Sequence, residues 1–118
     1  MKNVFYFNFS FDEYDELTFG FIVEYDRAIE SIIESEAYSE HFAALEEKYG
    51  IHDWSSAPVD GYSAIGYTTY EVEHARILLL MQEWADWFTN QGMQASKVVE
   101  VLDWTDDAGV YEYIKGVV

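Results

Sequence analysis

Glu71 and His74 form a Glu-x-x-His pair at the start of a predicted helix. This pair is the local element of di-iron carboxylate sites, which need two such motifs and two further inward glutamates in a helix bundle. The sequence contains a single copy of the motif. We therefore interpret both residues as polar positions on the solvated first turn of a helix, and we predict no metal and no cofactor.

Histidine side chains are the other candidates for chemistry. His41 and His52 have the right type for a general base, and the chain has serines and many carboxylates. Nucleophilic catalysis needs a nucleophile, a base and an orienting group that converge, and no Gly-x-Ser-x-Gly elbow is present. The sequence thus favours a protein that is not an enzyme.

Two loop motifs resemble ligand sites only superficially. Gly61 and Gly66 bracket four residues, but no lysine follows Gly66 as a phosphate-binding loop requires. The aspartates around residues 103–107 lack the alternating spacing and the terminal glutamate of an EF-hand calcium loop. We interpret that stretch as a turn.

The carboxylates themselves form the remaining pattern. Asp26, Glu30 and Glu34 recur every four residues, which on a helix places charges roughly 6 Å apart along one stripe. Each like-charge pair costs about 0.2–0.5 kcal/mol, so folding does not favour the arrangement. A DNA strand presents phosphates about every 3.4 Å along its axis. The predicted partner-binding residues are Asp12, Glu13, Asp15, Glu16, Asp26, Glu30, Glu34, Glu36 and Glu40.

Alternating apolar residues predict the strands that begin the chain. Residues 4–11 place Phe5, Phe7, Phe9 and Phe11 on one face, and the alternation returns from Leu17 to Val23. The acidic residues 12–16 between the two runs have no strand propensity and read as a connection. An antiparallel hairpin follows, in which Gly20 marks a bulge or a close contact.

Helical spacing of apolar residues extends over residues 26–49 and ends at Gly50. The apolar stripe breaks at residues 35–39, so one helix or two shorter helices are expected. Residues 52–61 contain Pro58 and are assigned to a loop. Residues 62–68 are a short strand or an extended lead-in.

A second helix is predicted through Phe88 with a stop at Gly92, and Thr68 with Glu71 has capping-box spacing before it. Its nearly continuous apolar run at residues 77–81 predicts a central, buried helix.

Residues 98–104 and 110–118 have strand-like composition and are predicted as strands joined by a turn. The predicted fold class is α+β, with an antiparallel sheet of about four strands and two helical segments packed on one face. At 118 residues, positions 1–118 are expected to form a single globular domain.

Composition excludes several classes of partner. The chain has 23 Asp and Glu against 6 Lys and Arg, a formal net charge of −17, yet 19% of its residues are aromatic. Disordered acidic tails lack such aromatics, so the charge surrounds a folded core. A domain with this charge repels nucleic acid and anionic membranes, which leaves a basic partner. No cleavable leader or membrane-length apolar run is recognised, so we expect a cytoplasmic protein, and mutual repulsion favours a monomer.

Small size, absence of cysteine, a pI near 4.1 and carboxylates spread over a globular chain resemble the DNA-mimic proteins. This group includes phage anti-restriction proteins, inhibitors of uracil-DNA glycosylase, some anti-CRISPR proteins and a mimic that binds the histone-like protein HU. The resemblance implies an acidic inhibitor that occupies the basic surface of a nucleic-acid-binding partner, such as a nucleoid protein or a restriction or CRISPR component. It transfers no residue roles.

Two alternatives remain open. An immunity protein that neutralises a basic nuclease toxin would use the same acidic surface. A small enzyme or ligand-binding domain from a salt-rich environment would also be acidic, but its charge would not be tied to an interface.

Overall fold

A computed structural model describes residues 2–10, 16–26, 29–49, 56–59, 62–65, 67–68, 74–102 and 107–118 of the chain. Its elements, in chain order, are β1 (Lys2–Ser10), β2 (Glu16–Glu24), α1 (Glu30–Ile33), α2 (Glu36–Tyr49), β3 (Ser56–Val59), β4 (Tyr62–Ile65), β5 (Tyr67–Thr68), α3 (His74–Asn90), β6 (Gln94–Ala95), β7 (Val99–Glu100) and α4 (Asp107–Val117).

The predicted hairpin of β1 and β2 is confirmed and forms the centre of the sheet. The two strands pair antiparallel from Lys2 opposite Glu24 to Ser10 opposite Glu16. Phe5 and Phe7 lie on one face of β1, and Val4 and Tyr6 on the other, and all four side chains are buried. Both faces of the hairpin therefore need covering. Phe11 and the acidic connection 12–15 lie outside the described residues.

The sheet has the order β5-β1-β2-β6, and β7 also pairs with β2. β5 is parallel to β1, whereas β6 and β7 run antiparallel to β2. Val23 pairs with Ala95 and Gly20 with Val99, so residues 96–98 lie opposite only two residues of β2. This extra residue is a β-bulge. Ser96 keeps the bulge bonded to β2: its N–H donates to the Ile22 carbonyl, and its hydroxyl accepts from the Ile22 N–H at 2.9 Å.

Helices α1, α2 and α3 cover the Phe5 face of the sheet. The core here centres on Trp84 of α3, which meets Phe5 and Phe21 edge-on at 5.2 and 5.1 Å between ring centroids. Phe88, one turn further along α3, lies 4.7 Å from Phe5. The α+β class and the two helical segments on one face are confirmed.

The predicted helical segment 26–49 is divided at Ser35. The Ser35 hydroxyl donates to the Ile32 carbonyl at 2.6 Å and accepts from the Tyr38 N–H at 3.2 Å. An N-cap serine makes this second bond to the third residue of the helix that it begins. The two-helix alternative is therefore the one that the chain adopts.

Helix α3 ends as predicted, since Gly92 has φ of +89°, a left-handed conformation that glycine tolerates. Thr68 lies in β5, and α3 is described from His74; the predicted capping-box partner Glu71 lies outside the described residues. Only one face of the predicted buried run is in the core: Leu80 and Met81 are fully buried, whereas Leu78 and Leu79 are 42% and 58% exposed.

The prediction of a strand over residues 110–118 is wrong, because α4 covers the second face of the sheet. Val110, Tyr111 and Ile114 are buried against the Val4 face of the sheet, whereas Glu112 is exposed. The burial of Val110, Tyr111 and Ile114 has the spacing of one helix face, whereas a strand would bury every second residue. The strand propensity of valine and tyrosine is a weak preference. Burying these side chains on the otherwise uncovered face of the sheet outweighs it.

Two further segments differ from prediction. Within the predicted loop 52–61, Ser56–Val59 forms β3 and pairs antiparallel with β4, so the loop assignment is wrong for those four residues. Among the described residues β3 pairs with β4 alone, so Pro58 lies in an edge strand, where proline is tolerated. Of the strand expected over residues 98–104, the described part forms a strand only at Val99–Glu100, and Leu102 is 75% exposed. Residues 103 and 104 lie outside the described residues. Of the two alternatives for residues 62–68, a short strand or an extended lead-in, the described residues adopt strand, as β4 and β5.

Candidate protein-interaction surface

Exposed carboxylates line the first two helices, and we name this surface the acidic α1–α2 face. Asp26 lies in the bend after β2, and Glu30 begins α1. Glu34 ends α1, and its N–H donates to the Glu30 carbonyl at 2.9 Å, so the two glutamates share one side of a single turn. The exposed acidic residues of this face are Asp26, Glu30, Glu34, Glu36, Glu40 and Glu47.

The predicted stripe of Asp26, Glu30 and Glu34 on one continuous helix is not formed. α1 has only four residues, and Asp26 precedes it. α2 provides a more regular stripe. Glu36, Glu40 and Glu47 project away from the buried Leu45, and on an α-helix they are separated by about 6 and 10 Å along the axis.

Two basic residues interrupt the acidic residues of this region: Lys48, and Arg27, which lies outside the described residues. Within residues 29–49, all of which are described, Lys48 is the sole Lys or Arg. Its ammonium hydrogen-bonds to the Glu83 carboxylate on α3 and lies 5.5 Å from the centroid of the Tyr49 ring. The hydrogen bond to Glu83 raises the pKa of Lys48. This positive charge is therefore already paired with a carboxylate of the same molecule.

The neighbouring groove between α2 and α3, which we name the α2–α3 groove, is aromatic. The His41 ring stacks on the Trp87 indole, with centroids 5.4 Å apart and an interplanar angle of 22°. Among the described residues, no group hydrogen-bonds to Nε2 of His41. Burial lowers the pKa of His41, while the charge of Glu83 acts in the opposite direction. The imidazole is consequently neutral at pH 7.

The four remaining predicted partner-binding residues precede or begin β2. Asp12, Glu13 and Asp15 lie outside the described residues, and Glu16 begins β2 with its side chain undescribed. Sequence reasoning also missed Glu83, Asp86 and Trp87 on α3. Glu83 and Asp86 lie on the helix away from Ile77 and Met81, so a helical projection of residues 74–90 would have shown them.

No cluster of three or more His, Cys, Asp or Glu suited to a metal ion occurs among the described residues. Glu71 lies outside them, and the side chain of His74 is not described. None of the described helices combines the length and the apolar character that crossing a membrane requires.

No protein-family model, curated protein or solved structure matches the chain. Its class is therefore defined by its own features. It is a small α+β protein whose first two helices present an exposed acidic face beside an aromatic groove.

Proposed function

We propose that this protein is an acidic DNA mimic, which binds the basic nucleic-acid-binding surface of a partner protein and blocks its access to DNA. The observation that carries the proposal is the acidic α1–α2 face. Its carboxylates are exposed, and the single lysine among residues 29–49 is paired with Glu83. A partner's lysines and arginines would thus meet mainly exposed carboxylates on the described part of this face.

The acidic α1–α2 face is supported by a packed core, which favours its use as a binding surface. Tyr38, Leu45 and Tyr49 anchor α2 in the core, so Glu36, Glu40 and Glu47 project from a fixed helix. Fixed charges lose less conformational freedom on binding than charges on a disordered tail. Complementary charge also accelerates association and makes it sensitive to salt.

Competition with DNA tests the proposal. A labelled duplex bound to a basic DNA-binding protein, beginning with the histone-like protein HU, is titrated with the purified protein while fluorescence anisotropy is recorded. We expect displacement of the duplex, with an affinity for the partner that falls steeply between low and physiological salt. Affinity that is independent of salt would exclude an electrostatic mimic.

A matched pair of variants locates the interface. Neutralising the α2 stripe with Glu36→Gln, Glu40→Gln and Glu47→Gln should weaken partner binding by on the order of tenfold, because charges that face the partner are lost. The control replaces Glu24, Glu100 and Glu112, on other elements, by glutamine. Both variants gain three positive units of net charge. Equal loss of partner affinity in the two variants would show that only total charge matters and would place the interface away from α2.

A further inference from the structure

The α2–α3 groove exposes part of a fixed aromatic pair beside the acidic α1–α2 face. Trp87 and His41 are each partly buried and stack on one another. Tyr38 meets Trp87 edge-on, with centroids 5.4 Å apart and the rings inclined at 72°. Phe88 contacts Trp87 in the same manner at 5.2 Å. The pair is therefore held in place by ring contacts on the core side while its outer part meets solvent.

Small side chains leave the groove open at this pair. Ala37 and Ala44 lie four residues before and three residues after His41, so they share its side of α2. Both alanines are exposed. Longer residues at these positions would cover the rings, whereas two methyl groups leave room for the side chain of a partner.

Carboxylates flank the rings on both helices. Glu83 lies four residues before Trp87 and therefore on the same side of α3. Glu40 precedes His41 on α2 and belongs to the acidic stripe. An aromatic surface with acidic neighbours attracts a cation by two interactions, one with the ring quadrupole and one with the carboxylates.

The chain's own Lys48 illustrates what this groove binds. Lys48 lies seven residues after His41, two turns along the same side of α2, where its ammonium bonds to Glu83 beside the Tyr49 ring. At the His41 end, residues 36–44 contain no Lys or Arg. The rings at this end therefore have no cation from the same stretch of α2, and the nearby Glu83 carboxylate is shared with Lys48.

We propose that the α2–α3 groove receives an arginine side chain of the basic partner, with the guanidinium stacked on the His41–Trp87 pair. Its charge would be attracted by Glu40 of the adjacent acidic stripe and by Glu83, whose carboxylate it would share with Lys48. This inference rests on the proposed function and adds a residue preference to it. A planar, weakly hydrated guanidinium stacks on aromatic rings, whereas the compact lysine ammonium holds its water more firmly. The acidic face alone would attract either residue equally.

Paired peptides test the preference. Dye-labelled oligo-arginine and oligo-lysine peptides of equal length and charge are titrated with the protein at physiological salt, and anisotropy gives both dissociation constants. We expect the arginine peptide to bind roughly threefold to tenfold more tightly, the range that a cation–π contact supplies. Trp87→Leu should remove this ratio and leave lysine-peptide binding unchanged. Tyr113→Leu, a partly buried aromatic of α4 on the opposite face, should preserve it.

A second pair of variants avoids the core. Ala44→Arg places an arginine beside the rings, while Ala43→Arg makes the same change of charge at an exposed position on another side of α2. We expect Ala44→Arg to abolish the preference for the arginine peptide and Ala43→Arg to weaken both peptides equally. Equal binding of the two peptides to the wild type, or a preference unaffected by both Trp87→Leu and Ala44→Arg, would overturn the inference while the proposed function stands. Failure of both peptides to bind would overturn the proposed function as well.

Discussion

His41 is a titratable side chain inside a ring stack, so its protonation is coupled to folding. It contacts Trp87 of α3, and Glu83 faces it from the same helix. On its own side of α2, Lys48 lies two turns further along, and Glu40 is adjacent in sequence but belongs to the acidic stripe. Burial disfavours the imidazolium more than Glu83 favours it, which places the pKa of folded His41 below its ordinary value of 6.5.

This coupling predicts how stability depends on pH. As the pH falls through 6.5, the unfolded chain takes up a proton at His41 before the folded protein does, so the free energy of unfolding should fall. His41→Phe keeps a ring on Trp87 and cannot titrate. Urea denaturation at pH 7.5 and 5.5 should therefore show wild type losing stability relative to His41→Phe. Because the other two histidines and all carboxylates are present in both proteins, their titration largely cancels. If the difference in free energy of unfolding between the two proteins were the same at both pH values, the lowered pKa of His41 would be contradicted.

At the scale of elements, the contact between β2 and α4 depends on one glycine. A Cβ built on Gly20 would lie 2.8 Å from Cδ1 of Ile114 and 3.1 Å from both the Phe5 carbonyl oxygen and the Tyr6 Cβ. The first contact is with the end of a side chain, but the other two are with the neighbouring strand. α4 can approach the sheet this closely only because position 20 has no side chain.

Two glycine substitutions test this contact. Gly20→Ala should lower the free energy of unfolding by about 1–3 kcal/mol, the usual cost of overpacking. Gly116→Ala, on the exposed side of α4 with no atom within 4 Å of the added methyl, should raise it by up to about 1 kcal/mol through helix propensity. Adding Ile114→Val to Gly20→Ala should restore part of the loss, since the nearest atom is removed. A neutral Gly20→Ala in chemical denaturation would mean that α4 does not sit on β2.

The elements also show which parts of the fold the sequence could predict. The β1–β2 hairpin and the end of α3 are specified locally, by alternation and by Gly92. α4 is not specified locally: its valines and tyrosines have strand propensity, and it becomes a helix because it packs on the second face of the sheet. The acidic character of α1 and α2 was evident from the sequence, but the predicted four-residue stripe of Asp26, Glu30 and Glu34 did not form because α1 is too short. The groove around Trp87 could not be predicted, since it depends on how α2 packs against α3.

For the whole molecule, the net charge of −17 opposes compaction. Glu36 and Glu40 repel one another one turn apart on α2, and Glu47 extends the same stripe. Such a pair costs about 0.2–0.5 kcal/mol at low salt. If the stripe is kept for a partner, its removal should favour folding while it weakens binding.

We therefore predict that the triple glutamine variant at positions 36, 40 and 47 is more stable than wild type at low salt, by roughly 0.5 kcal/mol, and that salt narrows the difference. Wild type itself should melt higher as salt rises from low to physiological, by about 4 °C if screening recovers about 1 kcal/mol. Differential scanning calorimetry in sodium, potassium and choline chloride measures both effects. Equal shifts in the three salts indicate screening, whereas a shift confined to one cation would indicate specific binding. A variant less stable than wild type at low salt would mean that these glutamates support the fold, and their use as a binding surface would lose its energetic argument.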